Sequence, residues 1–393
     1  MKNVVLLGAS RTPVGSFLGK LSSLPASALG AAAIRGALAQ AAVPADRIES
    51  VVLGNVLQAG QGQAPARQAS LAAGIPSSVP CVTVHKVCGS GMRAAMDVGN
   101  AIIAGEYDLA IAGGMESMSN APYLLDRART GYRMGNGVLV DSMIKDGLWD
   151  PYKDVHMGNC AEMCVAKYSF SREEQDAFSL RSYQRAQDAS KRGLFADEIV
   201  SVEVPQKKGP PVVVDTDEEP FAAPLDRMAG LKPAFQKEGG TVTAANSSKI
   251  NDGAAALVIA SAEKARELGA KPLARIVDWC GVAQDPEWFT TAPIGAIEKL
   301  LRRTGLKASD IDLFEINEAF AAVAMAAIKE LSLDPAKVNI RGGAVALGHP
   351  IGASGARLMT TLVHALRREG KKRGIAAICI GGGEATAVLL EVL

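Results

Sequence analysis

The sequence predicts an α/β fold: a mostly parallel sheet with helices on both faces, built from one unit used twice and interrupted by an insertion. Three observations predict it. Short apolar runs of strand character alternate with segments of helical spacing. The middle of the chain, from Ser119 to about Lys249, is richer in polar and charged residues and holds Pro205, Pro210, Pro211, Pro220, Pro224 and Pro233. The last part then repeats the order of the first. At 393 residues the chain also exceeds the size of a single ordinary core, so more than one domain is expected.

Taken in order, VVLLGAS (4–10) reads as a buried strand. Residues 26–41 have helical spacing and small side chains, which suits close packing. Residues 49–57 return to strand character, and CVTVHKV (81–87) forms a strand that ends at Cys88. Gly91 to Ile103 reads as a helix, and DLAIAGGMES (108–117) as a strand running into a turn. One strong helix is expected in the middle, from about Ser171 to Arg192, with Ser171 and Glu174 forming a capping box. INDGAAALVIAS (250–261) is again a buried strand, and LFEIN (313–317) another.

The repeat is one of order and spacing, not of identity. Asn55 lies 33 positions before Cys88, and Asn317 lies 32 before His349. GSG (89–91) opens a helix after Cys88, and ASG (353–355) opens one after His349. AAICIGGGEA (376–385) mirrors DLAIAGGMES. Two copies of one unit would place Cys88 and His349 on equivalent strand-to-helix loops, where ligands of open α/β sheets sit.

Composition narrows the classes of function. The chain is 48% hydrophobic and 21% charged, as a globular protein is. Lys plus Arg is 42 against 41 for Asp plus Glu, which gives no electrostatic case for nucleic acid or anionic membranes. The six cysteines form no CxxC pair, so a reduced, cytoplasmic setting is expected. The apolar N-terminal run meets Arg11 and Pro13 at once and reads as a strand, not a signal peptide, and no apolar stretch is long enough to span a membrane.

Several residues carry candidate chemistry. Cys88, between a strand and GSGMRAA, should sit at a helix N-terminus, where the dipole lowers a thiol pKa. Locally it also reads as a buried structural cysteine, and GSGMRA alone fits a dinucleotide-binding fingerprint. His349 stands among five glycines in GGAVALGHPIGASG and suits proton exchange with a thiol, or else bonds its own turn. Cys379 ends a buried strand before three glycines, as a catalytic or a small core residue would. Asn317 reads as a site residue or a helix N-cap. Cys160 and Cys164, four apart on a helix, lack further ligands and read as core. His85 faces away from Cys88, and His364 is a surface or packing residue.

Together these segments resemble the thiolase family, over essentially the whole chain and in the family's order. VCGSGMRA resembles its nucleophile motif, NEAFA (317–321) its asparagine motif, GGAVALGHPIGASG its histidine motif and CIGGGEA its second-cysteine motif. RTPVGSFLG, GGMESMS and TAANSSKINDGAAA (243–256) fit as well. The resemblance implies a five-layer αβαβα fold of two similar halves, 1–118 with 250–268 and 269–393, with an inserted loop domain at 119–249. It implies that Cys88 takes the acyl group, His349 activates Cys88, and Cys379 exchanges a proton with the second acyl-CoA. Asn317, through a water, and His349 would form one oxyanion hole, the Cys88 and Gly381 amides another. His156 and Met157 stand where short-chain, acetoacetyl-CoA-forming members carry the same pair. Leu148, Phe235, Ala244, Ser248, Ala319 and Phe320 resemble substrate-contacting positions. Phe221 stands where some relatives bear arginine, with Arg227 nearby.

The resemblance thus implies a ping-pong acyltransferase that joins two acetyl-CoA into acetoacetyl-CoA and CoA. The alternative is a broader 3-ketoacyl-CoA thiolase of fatty-acid or aromatic degradation. CoA thioesters are substrates, and no metal or redox cofactor is expected. The expected partner is a second copy of the chain, in a homotetramer before a dimer.

Overall fold

Residues 2–393 are described by a computed structural model. The apolar runs form nine strands of one long sheet: β1 (Val4–Arg11), β2 (Ser50–Gly54), β3 (Cys81–Val84), β4 (Leu109–Ser117), β5 (Asn251–Ser261), β6 (Ala274–Ala283), β7 (Leu313–Ile316), β8 (Arg373–Ile380) and β9 (Glu384–Val392). Their order across the sheet is β7-β8-β9-β6-β1-β5-β4-β2-β3, with the short strand Gly15–Ser16 added on β5. The sheet is mixed, which corrects the expectation of a mostly parallel one. Only β2/β3, β2/β4 and β7/β8 pair in parallel; the pairs from β4 through β5, β1, β6 and β9 to β8 are antiparallel.

The duplication is explicit in this order. β2-β4-β5-β1 in the first half corresponds to β7-β8-β9-β6 in the second. The halves meet where Val4–Leu6 pairs with Ala274–Ile276.

Helices cover both faces and the space between. The outer pair α1 (Ala26–Ala41) and α2 (Pro65–Ala72) packs with Val5, Leu7, Val51 and Leu53 on one side of the first half. Between the halves lie α3 (Ser90–Ala104) and, further along the chain, a long helix over Ile351–Arg368. Met92, Met96, Leu358 and Leu362 on these two helices join strand residues of both halves in one core. The remaining helices of ten residues or more are α4 (Met157–Tyr168), α5 (Arg172–Lys191), α6 (Ala292–Thr304) and α7 (Ala321–Glu330), so the long central helix is α8; shorter ones span Glu219–Ala222, Ala262–Glu267 and Ala344–Leu347. α6 and α7 close the far side against β6, β7, β8 and β9. The layers therefore run αβαβα.

Glycine makes the central contact possible. A Cβ on Gly91 would stand 3.0 Å from the Gly352 carbonyl oxygen and 2.9 Å from the Ala356 nitrogen, and one on Gly355 would strike Met92. α3 and α8 thus approach backbone to backbone. The expected capping box is present on α5: Ser171 Oγ accepts from Glu174 N–H at 3.1 Å, and Glu174 accepts from Ser171 N–H at 2.8 Å. Among the described residues no helix is long and apolar enough to cross a membrane.

Candidate active site

β3 ends at Val84, and α3 begins at Ser90 with Gly89 as its N-cap. Between them Val87 is held left-handed at φ +45°. A β-branched residue adopts that backbone only under constraint. The turn is closed by Lys86 N–H donating to Ser90 Oγ at 2.8 Å and by the Ser90 hydroxyl donating to the Val87 carbonyl at 2.7 Å. This corner presents Cys88, half-buried, to the end of β8.

Burial of the sulfur is the largest influence on Cys88 and pushes its thiol up to about 11. The Gly381 amide and its own amide favour the thiolate, and the Glu116 charge opposes it. The expectation of a lowered thiol is therefore corrected: desolvation outweighs the two amides that favour the thiolate. Cys88 rests as a thiol and needs a base.

His349 lies between the short helix Ala344–Leu347 and α8. Gly348 before it is at φ +102°, and its missing side chain leaves room for Asn251. Asn251 Oδ1 accepts the His349 N–H at 2.8 Å. The Ser354 hydroxyl donates to the Pro350 carbonyl at 2.8 Å, so toward His349 Nδ1, 2.6 Å away, it acts as acceptor. That fixes the proton on Nδ1 and leaves Nε2 with a free lone pair. Nε2 is buried without a partner. Burial, with a smaller contribution from the Arg357 charge, lowers the imidazole to about 3, so His349 is neutral.

Two further groups lie just beneath. Cys379, at the end of β8, is fully buried, and burial raises its thiol well above the ordinary range. Charge on Cys88 raises it further, whereas its own amide, Asn317 and the Ala319 amide favour its thiolate. Asn317 is fully buried, and both polar atoms of its side chain lack a partner. It caps no helix; α7 begins after Phe320. An unsatisfied buried amide of this kind marks a site for a further polar group.

Above these residues is a cavity of about 350 Å³. Cys88, His349 and Gly381 line it, as do all eight expected substrate contacts: Leu148, His156, Met157, Phe235, Ala244, Ser248, Ala319 and Phe320. Cys379 and Asn317 are not on its surface but behind it. One wall is aromatic. His156 stacks on Phe235 with centroids 4.7 Å apart, and Phe235 and Phe289 both meet Phe320 edge-on. His156 accepts from Gly158 N–H at 3.0 Å through Nδ1, and burial lowers its pKa, so it is a neutral wall residue. Phe221 is half-exposed on the outer surface, and Arg227 lines a neighbouring cavity.

Sequence reasoning misses several members of the site. Val87 and Lys249 lie inside the quoted motifs but have no role of their own in them, and Phe289, which belongs to no motif, comes from a short 3₁₀ segment over Pro286–Thr291. Glu116 reads in the sequence only as part of a turn. Its carboxylate accepts from Asn55 Nδ2 at 2.8 Å, the Val56 and Leu57 amides at 3.1 Å, and the Gly352 amide at 2.8 Å. Burial pushes this group up to about 7, yet the four donors leave no oxygen free for a proton. Glu116 thereby stitches the Asn55 loop to the start of α8. The other noted residues fall outside the site. Cys160 and Cys164 are fully buried in the core beside α7. His364 is buried with Nε2 2.8 Å from the Ala9 carbonyl.

The chain is similar to known proteins along its whole length. The model described as "Thiolase, N-terminal domain" matches residues 4–263, and "Thiolase, C-terminal domain" matches 270–392. The mitochondrial acetyl-CoA acetyltransferase of Rattus norvegicus is 51% identical over 393 residues, all of this chain and 92% of the rat protein. An acetyl-CoA acetyltransferase of Cupriavidus necator is 50% identical over 392 residues, covering both chains fully. The crystal structure of Acat5 thiolase from Ascaris suum in complex with coenzyme A superposes with a TM-score of 0.95 at 47% identity, over the whole of both chains. With both family models matched in order over nearly the whole chain, and relatives about half identical along its full length, this chain belongs to the thiolase family.

Proposed function

We propose that the enzyme joins two acetyl-CoA into acetoacetyl-CoA and CoA, reversibly, through an acetyl group carried on Cys88. The observation that supports this most is the free Nε2 of a neutral His349 lining the same cavity as the Cys88 thiol. The identity with acetyl-CoA acetyltransferases along the full chain supports the substrate.

Protons and bonds balance at each step. His349 Nε2 takes the Cys88 proton as the sulfur attacks the acetyl carbonyl of the first thioester. The oxyanion is held by the Cys88 and Gly381 amides. CoA leaves as the carbon–sulfur bond breaks, taking a proton from Cys379. The acyl-enzyme then holds imidazolium and thiolate as a neutral pair, and the esterified Cys88 no longer opposes charge on Cys379. The Cys379 thiolate removes an α-proton from the second acetyl-CoA. Asn317, through a water, and His349 hold the resulting enolate oxygen. The enolate carbon attacks the acetyl carbonyl, the Cys88 sulfur departs, and His349 returns its proton. A thioester activates its own carbonyl and acidifies its α-carbon, so two thiols and an imidazole suffice, with no metal or redox cofactor. Acid–base transfer and each oxyanion donor contribute on the order of a hundredfold or more in rate.

Leu148, His156, Met157, Phe235, Ala244, Ser248, Ala319 and Phe320 hold the acyl chain and the pantetheine arm. Thiolysis of acetoacetyl-CoA and of a 3-ketoacyl-CoA with four more carbons tests the chain length. We expect kcat/KM to favour the shorter substrate; a preference for the longer one would return the broader 3-ketoacyl-CoA reading. We also place the enzyme in the cytoplasm, in keeping with six free cysteines, and in a homotetramer. Support for assembly is the free edge strand β3 with exposed Val82, and the exposed Leu125, Met134, Val138 and Leu139.

A further inference from the structure

Lys249 lies at a wall shared by two cavities, the thioester cavity of about 350 Å³ and a neighbour of about 240 Å³. Its charge is free in neither. Nζ donates to the Ala244 carbonyl at 2.6 Å, the Ser247 carbonyl at 2.8 Å and the Val345 carbonyl at 3.4 Å. It also stands 5.6 Å from the centroid of the Tyr183 ring. An ammonium has three donors and no acceptor, so three carbonyls saturate it. Among the described residues no carboxylate is in ion-pair contact with it. Glu219, on the rim of the smaller cavity, supplies the nearby favourable charge.

The carbonyls belong to a loop and to a short helix distant from it in sequence. Ala244 and Ser247 lie on the pocket wall, in a loop joined to the Asn317–Phe320 segment by Ser248 N–H donating to the Ala319 carbonyl at 2.9 Å. Val345 lies on the short helix Ala344–Leu347, which leads into His349. A largely desolvated charge held by backbone carbonyls, with no carboxylate in contact, is costly to keep. Burial accordingly lowers this lysine to about 8.

We propose that Lys249 is a positioning residue: its ammonium is a tethered cation that pins the 243–249 loop to the helix before His349, holding the thioester wall and the base in one geometry. The proposal rests on the thioester reading of the larger cavity.

Lys249→Met keeps the stem and removes the ammonium. Loss of charge-assisted bonds is expected to raise KM for acetoacetyl-CoA about tenfold to a hundredfold, with a smaller fall in kcat. Ammonium chloride can enter the vacated carbonyl cage and should bring KM back toward the wild-type value. Tetramethylammonium chloride at equal ionic strength is too large and should not. The same salts read by thermal unfolding need no turnover: ammonium alone should raise Tm, and only in the variant. That readout separates failure of the cation role from failure of the acetyl-transfer reading. Lys249→Gln, which keeps N–H donors without charge, should show the same ammonium response and serves if the methionine variant does not fold. A variant with wild-type KM, or one whose KM and Tm ignore ammonium, overturns the proposal.

Discussion

His349 can act as a base because its two ring nitrogens have different company. Ser354 holds Nδ1–H, and Nε2 faces the cavity unpaired. Removing the acceptor should therefore disturb the tautomer more than the binding. Ser354→Ala is expected to lower kcat about tenfold to a hundredfold with KM little changed, as steady-state kinetics would read. The lowered pKa has a sign as well. A group pushed down to about 3 keeps its lone pair through neutral pH, so the His349 ring resonances should not titrate between about pH 8 and pH 5. An NMR titration with a midpoint near that of free histidine would contradict the burial argument. Much of this chemistry is legible in the residues. Cys88 before GSG and Cys379 before GGG stand at the ends of strand-like runs, and His349 stands among glycines. What is not legible is the balance of effects at one atom. The motif places Cys88 at a helix terminus, but only packing reveals that desolvation outweighs the Gly381 and Cys88 amides. Lys249 likewise looks like an ordinary surface lysine until three carbonyls are seen around it.

Among the elements, the crossing of α3 and α8 decides the site, because the two helices begin beside Cys88 and His349, the residues proposed to react. Gly91→Val would push Gly352 and Ala356 away and separate the loops that carry Cys88 and His349. A loss of about 1–3 kcal/mol in denaturant-measured stability is expected from overpacking, with a larger proportional loss of activity. The α5 cap provides a contrast. Ser171→Ala should lower stability by about 1 kcal/mol and leave kcat/KM unchanged, since neither Ser171 nor Glu174 lines the cavity. Element positions are readable where burial is one-sided or continuous: residues 26–41 and 250–261 stand close to where their spacing puts them. Strand direction is not. A continuous apolar run is the mark of a strand covered on both faces, usually in a parallel sheet. In a five-layer molecule β1, β5 and β9 are covered on both faces while running antiparallel, so the run gives burial without direction. β6 escapes a pattern-based reading because Arg275, Asp278 and Trp279 interrupt it at the surface.

For the molecule as a whole, duplication is what brings the reacting groups together. Corresponding corners at the starts of α3 and α8 meet across one helical layer, and each supplies what the other lacks. The Cys88 corner follows strand β3, but the His349 corner follows the short helix Ala344–Leu347, which corrects the expected second strand-to-helix loop. Neither half buries that layer alone: Leu358, Met359, Leu362 and Val363 of α8 share a core with Leu6, Val52 and Leu257 of the first half. A fragment of residues 269–393 is therefore expected to expose this face and to aggregate, as light scattering would show. The spacing of Asn55 to Cys88 against Asn317 to His349 carries this architecture in the sequence, even where the residues themselves differ.

The most direct measurement is mass spectrometry of the enzyme after brief exposure to acetyl-CoA, for the wild type and for the Cys88→Ala and Cys379→Ala variants. A covalent acetyl-cysteine route predicts one acetyl group on Cys88 in the wild type, none on Cys88→Ala, and an acetylated Cys379→Ala that makes no acetoacetyl-CoA. An acetyl group carried elsewhere, or normal condensation by Cys379→Ala, would contradict it.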